Sequence, residues 1–191
     1  MLDIKNDDNL CALWCISAHL NPKYRDSAKQ YRSNKPTAYE EHKDQINTGD
    51  LQFPLRIHDI AKLERLNNLN INVYSLDFKS HVIPIRISKQ KEVPKERIID
   101  LLYVEHELNT HYCLITNIAG LCRTQQSNVT DSRFFCRRCL HFCRREDSFK
   151  EHMERCKKHV PQKNILPKKN DIKGGDKVRC ILNNNKKMLI G

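Results

Sequence analysis

One short stretch, Cys136 to Cys156, constrains this chain more than any other. Cys136-Arg137-Arg138-Cys139 sets two thiols on a tight turn, and twelve residues later His152-Met153-Glu154-Arg155-Cys156 adds an imidazole and a third thiol. The i, i+4 spacing of His152 and Cys156 projects both from one face of a helix, so the four side chains can close on a single ion. Four thiolate and imidazole donors at this spacing make a tetrahedral Zn2+ set. A unit this small has too little core to fold without such an ion.

The residues between the ligands fit a ββα zinc finger that ends in Cys rather than His, a C2HC finger over 134–159. Phe134 stands two before the first Cys, Phe149 three before His152, and Ser148 to His152 reads as helix. Cys143 occupies the place of a bulky apolar residue, with Phe142 beside it to fill the small core. Cys143 as a displaced ligand and His159 in place of Cys156 are the alternatives. Along the expected helix, Arg145, Ser148 and Glu151 occupy the positions from which fingers read bases. Arg137, Arg138, Arg144, Lys150 and the tail lysines are available for phosphates. One finger spans about three base pairs, so sequence-independent binding through counterion release is the modest expectation. Packing of the finger on a neighbouring domain, or on a partner protein, competes with it.

Charge is distributed to match. The net +11 arises mostly after residue 156, where 10 Lys/Arg face 2 Asp/Glu; residues 1–135 carry 18 against 17. An acidic partner, most plausibly nucleic acid, is therefore expected at the C-terminal end only. Nine cysteines are an odd number, and four are assigned to metal, so a reducing compartment, cytoplasm or nucleus, is expected. Met1 to Asp8 is too acidic and polar for a signal peptide, and the longest uncharged runs are too short to span a bilayer.

Upstream, apolar patterning predicts an α+β domain over 1–122. Asp8-Asn9 reads as a cap for an apolar helix from Leu10 to Leu20, stopped by Asn21-Pro22. Residues 23–50 stay open between helix and loop. Apolar positions 57, 60, 63 and 66 predict a second helix. Leu69–Leu76, Val82–Ile87, Ile98–Val104 and His111–Ile115 read as strands, with Pro84 placing the second at a sheet edge or putting itself at a strand start. Residues 105–110 are the expected hairpin loop, 123–133 a linker, and 160–191 a basic tail expected to be disordered.

In this order a helix bearing a thiol in its first turn, Cys11, is followed much later by a strand that opens on His111. A helix start and a nearby imidazolium both favour thiolate, which is what a cysteine nucleophile requires. Buried free thiols are also common, and His111 could be an ordinary strand residue.

Two resemblances attach to these residues. Asp8-Asn9-Leu10-Cys11, the helix 57–66 running into Asn70–Tyr74, Ile99–Tyr103 and His111-Tyr112 follow the order of the ovarian-tumour (OTU) type deubiquitinating cysteine peptidases. That resemblance, over about residues 6–117, implies an OTU/papain-like helix-plus-sheet domain with Cys11 as nucleophile, His111 as general base, and Asp8 or Asn117 as third member. It implies a ubiquitin-like or polyprotein substrate. Ile4–Asn9 with Cys11 and Trp14, Phe53-Pro54, Asn70–Val73, His111–Ile115, Phe135-Cys136, Cys139-Leu140-His141 and Ile165-Leu166-Pro167 also resemble the region that precedes the B-type, protein-primed DNA polymerase of Polinton/Maverick-like mobile elements. This implies a replication setting and not an activity, since no polymerase carboxylate motif is present. The expectation is zinc-stabilised binding of nucleic acid or a partner; a cysteine peptidase is the rival, and an inactive gene fragment the third possibility.

Overall fold

Asn70-Ile71-Asn72-Val73-Tyr74-Ser75-Leu76 is the strand on which the fold is hung. Its alternating side chains all find cover, Ile71 and Val73 on one face, Asn72, Tyr74 and Leu76 on the other. A strand buried on both faces must lie inside a sheet with layers on either side. In the computed structural model, which describes residues 1–25, 33–89, 93–106, 109–123, 134–158, 179–181 and 187–189, this is the case.

The four-stranded sheet has the order β2-β1-β3-β4, with β1 (Asn70–Leu76), β2 (Val82–Arg86), β3 (Ile98–His106) and β4 (Asn109–Leu114). β1 and β3 run parallel; β1 with β2 and β3 with β4 are antiparallel. The fold class is thus α+β with a mixed sheet. Pro84 does sit on the edge strand, where its missing N–H costs no ladder bond. The expected loop at 105–110 is shorter than its sequence suggests: β3 runs to His106 and β4 begins at Asn109.

The first face of the sheet is covered by α1 (Cys11–Leu20), whose residues Cys11 to Ala18 are all buried. A helix apolar all round belongs in a core. Here it packs with Ile71, Val73, Ile99, Leu101, Tyr112 and Leu114 of the sheet and with Tyr39, Ile46 and Leu55 from the segment that follows it. Asn21 closes it by donating from both its backbone N–H and its side-chain amide to Ser17 O. Pro22 then opens the short α2 (Pro22–Arg25), and α3 (Glu40–Lys43) follows within the segment the sequence left open. The helix expected from Ile57 starts later. Residues 57–59 form a turn, and α4 (Ile60–Asn67) ends at Asn68, whose left-handed backbone (φ 51°) turns the chain into β1.

Glu64 is the one buried acid of α4. Its carboxylate accepts from Arg86 Nη2 at 2.6 Å and Nη1 at 3.1 Å and from the Ile71 N–H at 2.6 Å, joining helix, central strand and edge strand.

The second face is covered by α5 (Ile118–Arg123), a short helix that the sequence reading missed, and by a ββα module of β5 (Phe134–Phe135), β6 (Phe142–Cys143) and α6 (Glu146–Lys158). Strand alternation divides the module's aromatics. Phe134 stacks on Phe149 of α6 at 5.7 Å, while Phe135 and Phe142, 4.7 Å apart, turn with Leu140 toward Tyr74, Leu76, Leu102 and Ile115. A polar clamp sits among these apolar contacts. Asp100 on β3, only 4% exposed, accepts from Asn72 Nδ2 (2.9 Å), the Tyr74 hydroxyl (3.4 Å) and Arg137 Nε (2.9 Å), and the same hydroxyl lies 3.0 Å from Arg137 O. Arg137 is therefore engaged with the sheet and is not a free phosphate ligand.

Most of the tail lies outside the described residues, as do the expected linker beyond Arg123 and His159. Two short strands, β7 (Arg179–Ile181) and β8 (Lys187–Leu189), pair antiparallel within the tail. Among the described residues no helix is long and apolar enough to cross a membrane.

Candidate thiol site and metal centre

The register at the N-terminus builds the first site. Leu2 and Leu114 exchange both backbone hydrogen bonds at 2.8 Å, an isolated antiparallel bridge on the free edge of β4. That register sets Asp3 directly opposite Cys113 and diagonal to His111, with all three on one face. Asp3 Oδ1 lies 2.8 Å from His111 Nε2 and 3.8 Å from Cys113 Sγ. The thiol of Cys11, first residue of α1, is near enough to the same imidazole to act on its protonation. Three segments more than a hundred residues apart at the extremes thus meet at one ring.

The electrostatics follow from this contact. The Asp3 carboxylate, then the Cys11 and Cys113 thiols, hold the proton on His111 and push its pKa up to about 12 against the opposing effect of burial. Asp3 moves the other way, lowered chiefly by its bond to His111. Burial raises the Cys113 thiol. Cys15, one turn beyond Cys11, is fully enclosed with its thiol donating to Tyr112 O, and burial keeps it neutral. The His111 side chain is 38% exposed, whereas Cys11 is buried.

The other two residues named from the sequence are engaged elsewhere. Asp8 accepts from the Leu10 N–H (2.9 Å), the Trp14 indole (3.1 Å) and Asn6, bracing the start of α1. Asn117 Oδ1 accepts from the Gly120 N–H at 2.8 Å, capping α5. Asp3, which the sequence reading did not single out, is the carboxylate that the ring meets. Its only signal was the alternation Leu2-Asp3-Ile4, with Ile4 buried and Asp3 between.

The second site gathers the four ligands expected from spacing. Cys136 and Cys139 flank the turn before β6, His152 and Cys156 lie one turn apart on α6, and their ligand atoms all fall within 4.8 Å of one another. Cys136 Sγ and Cys156 Sγ are 4.0 Å apart, and Cys139 Sγ is 3.2 Å from His152 Nε2. This Cys3His group can hold a metal ion. Leu140 takes a left-handed backbone (φ 63°) to bend the knuckle, and its N–H donates to Cys136 O. Burial raises the thiols of Cys139 and Cys156 above their ordinary range, a bias that a bound cation reverses by deprotonating them. Cys143 instead pairs with Phe134 inside the module.

The positions named for nucleic acid lie along α6. Arg144 and Arg145 are exposed before and at its start, and Ser148 is half-buried. Lys150 and Glu151 are exposed but paired, Lys150 with Glu146 at 3.0 Å and Glu151 with Arg155 at 3.7 Å.

No family model matches this chain, and neither a curated protein nor a solved structure matches it.

Proposed function

We propose that the sheet domain is a cysteine peptidase of OTU/papain-like type, with Cys11 as nucleophile, His111 as general acid–base and Asp3 as the residue that orients the ring. The observation that carries this reading is the convergence of Cys11, His111 and Asp3 at one imidazole. With Nε2 held by Asp3, Nδ1 is left for the thiol, the arrangement a thiol–imidazole pair needs. The Cys11 thiolate, paired with the His111 imidazolium, attacks a carbonyl carbon, and the imidazolium gives its proton to the leaving amine, which leaves the ring neutral. A water activated by His111 then hydrolyses the thioester. Cys11 also stands at a helix start, where the first amides have no intrahelical partner, which makes its own N–H a donor for the oxyanion. The substrate class implied by the resemblance is a ubiquitin-like protein or a polyprotein.

In the same reading the Cys3His module is a C2HC zinc finger. Three thiols and one imidazole within reach of one point suit Zn2+. The ion would crosslink knuckle and helix in a unit that has only Phe134 and Phe149 for a core of its own.

Labelling with a ubiquitin-derived electrophile is the direct test. Attachment at Cys11, abolished in Cys11→Ala and His111→Ala and reduced at least tenfold in Asp3→Asn, is the expected result. Equal labelling of wild type and Cys11→Ala, or none with ubiquitin-derived and small electrophiles alike, removes the reading.

The exposed Arg144 and Arg145, continued by the basic tail, favour a second role in binding nucleic acid in a mobile-element replication setting. Affinity for duplex or single-stranded DNA or RNA should fall steeply with salt, and weaken in Arg144→Ala/Arg145→Ala. Absence of salt-dependent binding to any of them rejects this role.

A further inference from the structure

Asp3, His111 and Cys113 offer one oxygen, one nitrogen and one sulfur whose atoms all lie within 4.8 Å of one another. For tetrahedral Zn2+ the usual bond lengths place a carboxylate oxygen about 3.4 Å from an imidazole nitrogen and about 3.6 Å from a thiolate sulfur. The observed separations, 2.8 Å and 3.8 Å, differ from these by about 0.6 Å and about 0.2 Å. No backbone rearrangement is needed, because the Leu2–Leu114 bridge already holds Asp3 across from Cys113. Three protein ligands leave a fourth position open, as in the catalytic sites of zinc enzymes.

We propose that Asp3, His111 and Cys113 form a second divalent-metal site, which switches the thiol site off when Zn2+ occupies it. The ion replaces the proton on His111 Nε2 and the thiol proton of Cys113. It turns the Asp3–His111 hydrogen bond into two metal bonds, and no redox partner is involved. A ring bound to metal through Nε2 can no longer form the imidazolium that pairs with the Cys11 thiolate and protonates the leaving amine. The mixed O, N, S donor set is borderline-soft, which suits Zn2+ or Co2+ better than Mg2+ or Ca2+. The binding stands on geometry alone, while the inhibition rests on the peptidase reading.

The full chain is tested with Co2+ alone, whose absorption reports thiolate ligation. Two equivalents are expected in the wild type, one from the Cys3His group and one from this site. The double variant Asp3→Asn/Cys113→Ser should lose the second equivalent, and its unchanged first-equivalent spectrum serves as the check that it is folded. Asp3→Asn alone, nearly isosteric, should weaken the second equivalent at least tenfold. In parallel, the second equivalent of Zn2+ should suppress labelling of wild-type Cys11 at least tenfold. One equivalent only, or two that survive both variants, overturns the site. If Cys11 nevertheless labels, the peptidase reading survives that loss. Two equivalents with no labelling under metal-free conditions would leave the metal site standing and remove the peptidase.

Discussion

Asp100→Ala tests whether the metal module is welded to the sheet or merely tethered. The side chain is 4% exposed and accepts from Asn72, Tyr74 and Arg137. Removing it strands the Asn72 amide, an unsatisfied buried donor worth about 1–2 kcal/mol. Tyr74 keeps Arg137 O, so its loss is small. The Arg137 pair would cost 3–5 kcal/mol if fully buried. Its guanidinium is about half exposed, however, and solvent screening reduces the pair to about 1 kcal/mol. The sum is about 2–3 kcal/mol, or about 4–12 °C in Tm for a chain of this size. Urea denaturation of metal-loaded protein measures it. A cycle with Arg137→Gln should give a coupling of about 1 kcal/mol, because the two residues share one bond. Additivity within about 0.3 kcal/mol would refute the clamp and leave the module's place on the sheet to apolar contact alone.

Three further outcomes follow from the same contacts. Chelation should release the ββα module and expose Leu76, Leu102 and Ile115, raising hydrophobic-dye binding. The single tryptophan, Trp14, lies under the opposite face and should keep its emission; a simultaneous shift in Trp14 emission would mean the two faces unfold together. Glu64→Ala should cost about 3–5 kcal/mol, since it leaves the mostly buried Arg86 guanidinium without its counter-charge; a loss under 1 kcal/mol by denaturant titration would contradict that. Asp8→Ala should cost about 1 kcal/mol at the start of α1 and still permit labelling at Cys11; abolition of labelling in a folded Asp8→Ala protein would return Asp8 to the catalytic role.

Local chemistry made much of this legible. The Cys3His spacing is a statement about helix period and turn size, so it transfers directly to coordinates. The four strands and α1 follow from apolar runs bounded by Pro and Asn. What escaped depends on tertiary cover. The start of α4 could not be read from periodicity, because Ile57 keeps the helical spacing while lying in the turn ahead of the helix. α5 is too short, at six residues, for a period to show. The use of Arg137 was misjudged for a similar reason: a basic residue beside metal ligands reads as a phosphate contact until a buried acid on another strand is seen to claim it.

The third residue at the thiol site shows where local reading stops. The resemblance offers Asp8, three residues before Cys11, and Asn117, six after His111, as partners for His111, and proximity in sequence is all that a motif can express. Asp8 is spent, however, on the amide and indole that follow it, since a carboxylate just ahead of a helix finds unpaired N–H groups within its own turn. The ring is met instead by a carboxylate 108 positions away, put there by a single bridge between Leu2 and Leu114. Shifting that register by one residue would turn Asp3 to the opposite face and leave His111 without it. The orientation of the imidazole therefore hangs on the burial of Ile4 beside it and the two backbone bonds of Leu2. Deleting residues 1–4 should spare the sheet and the metal module yet cut Cys11 labelling as deeply as Asp3→Asn does.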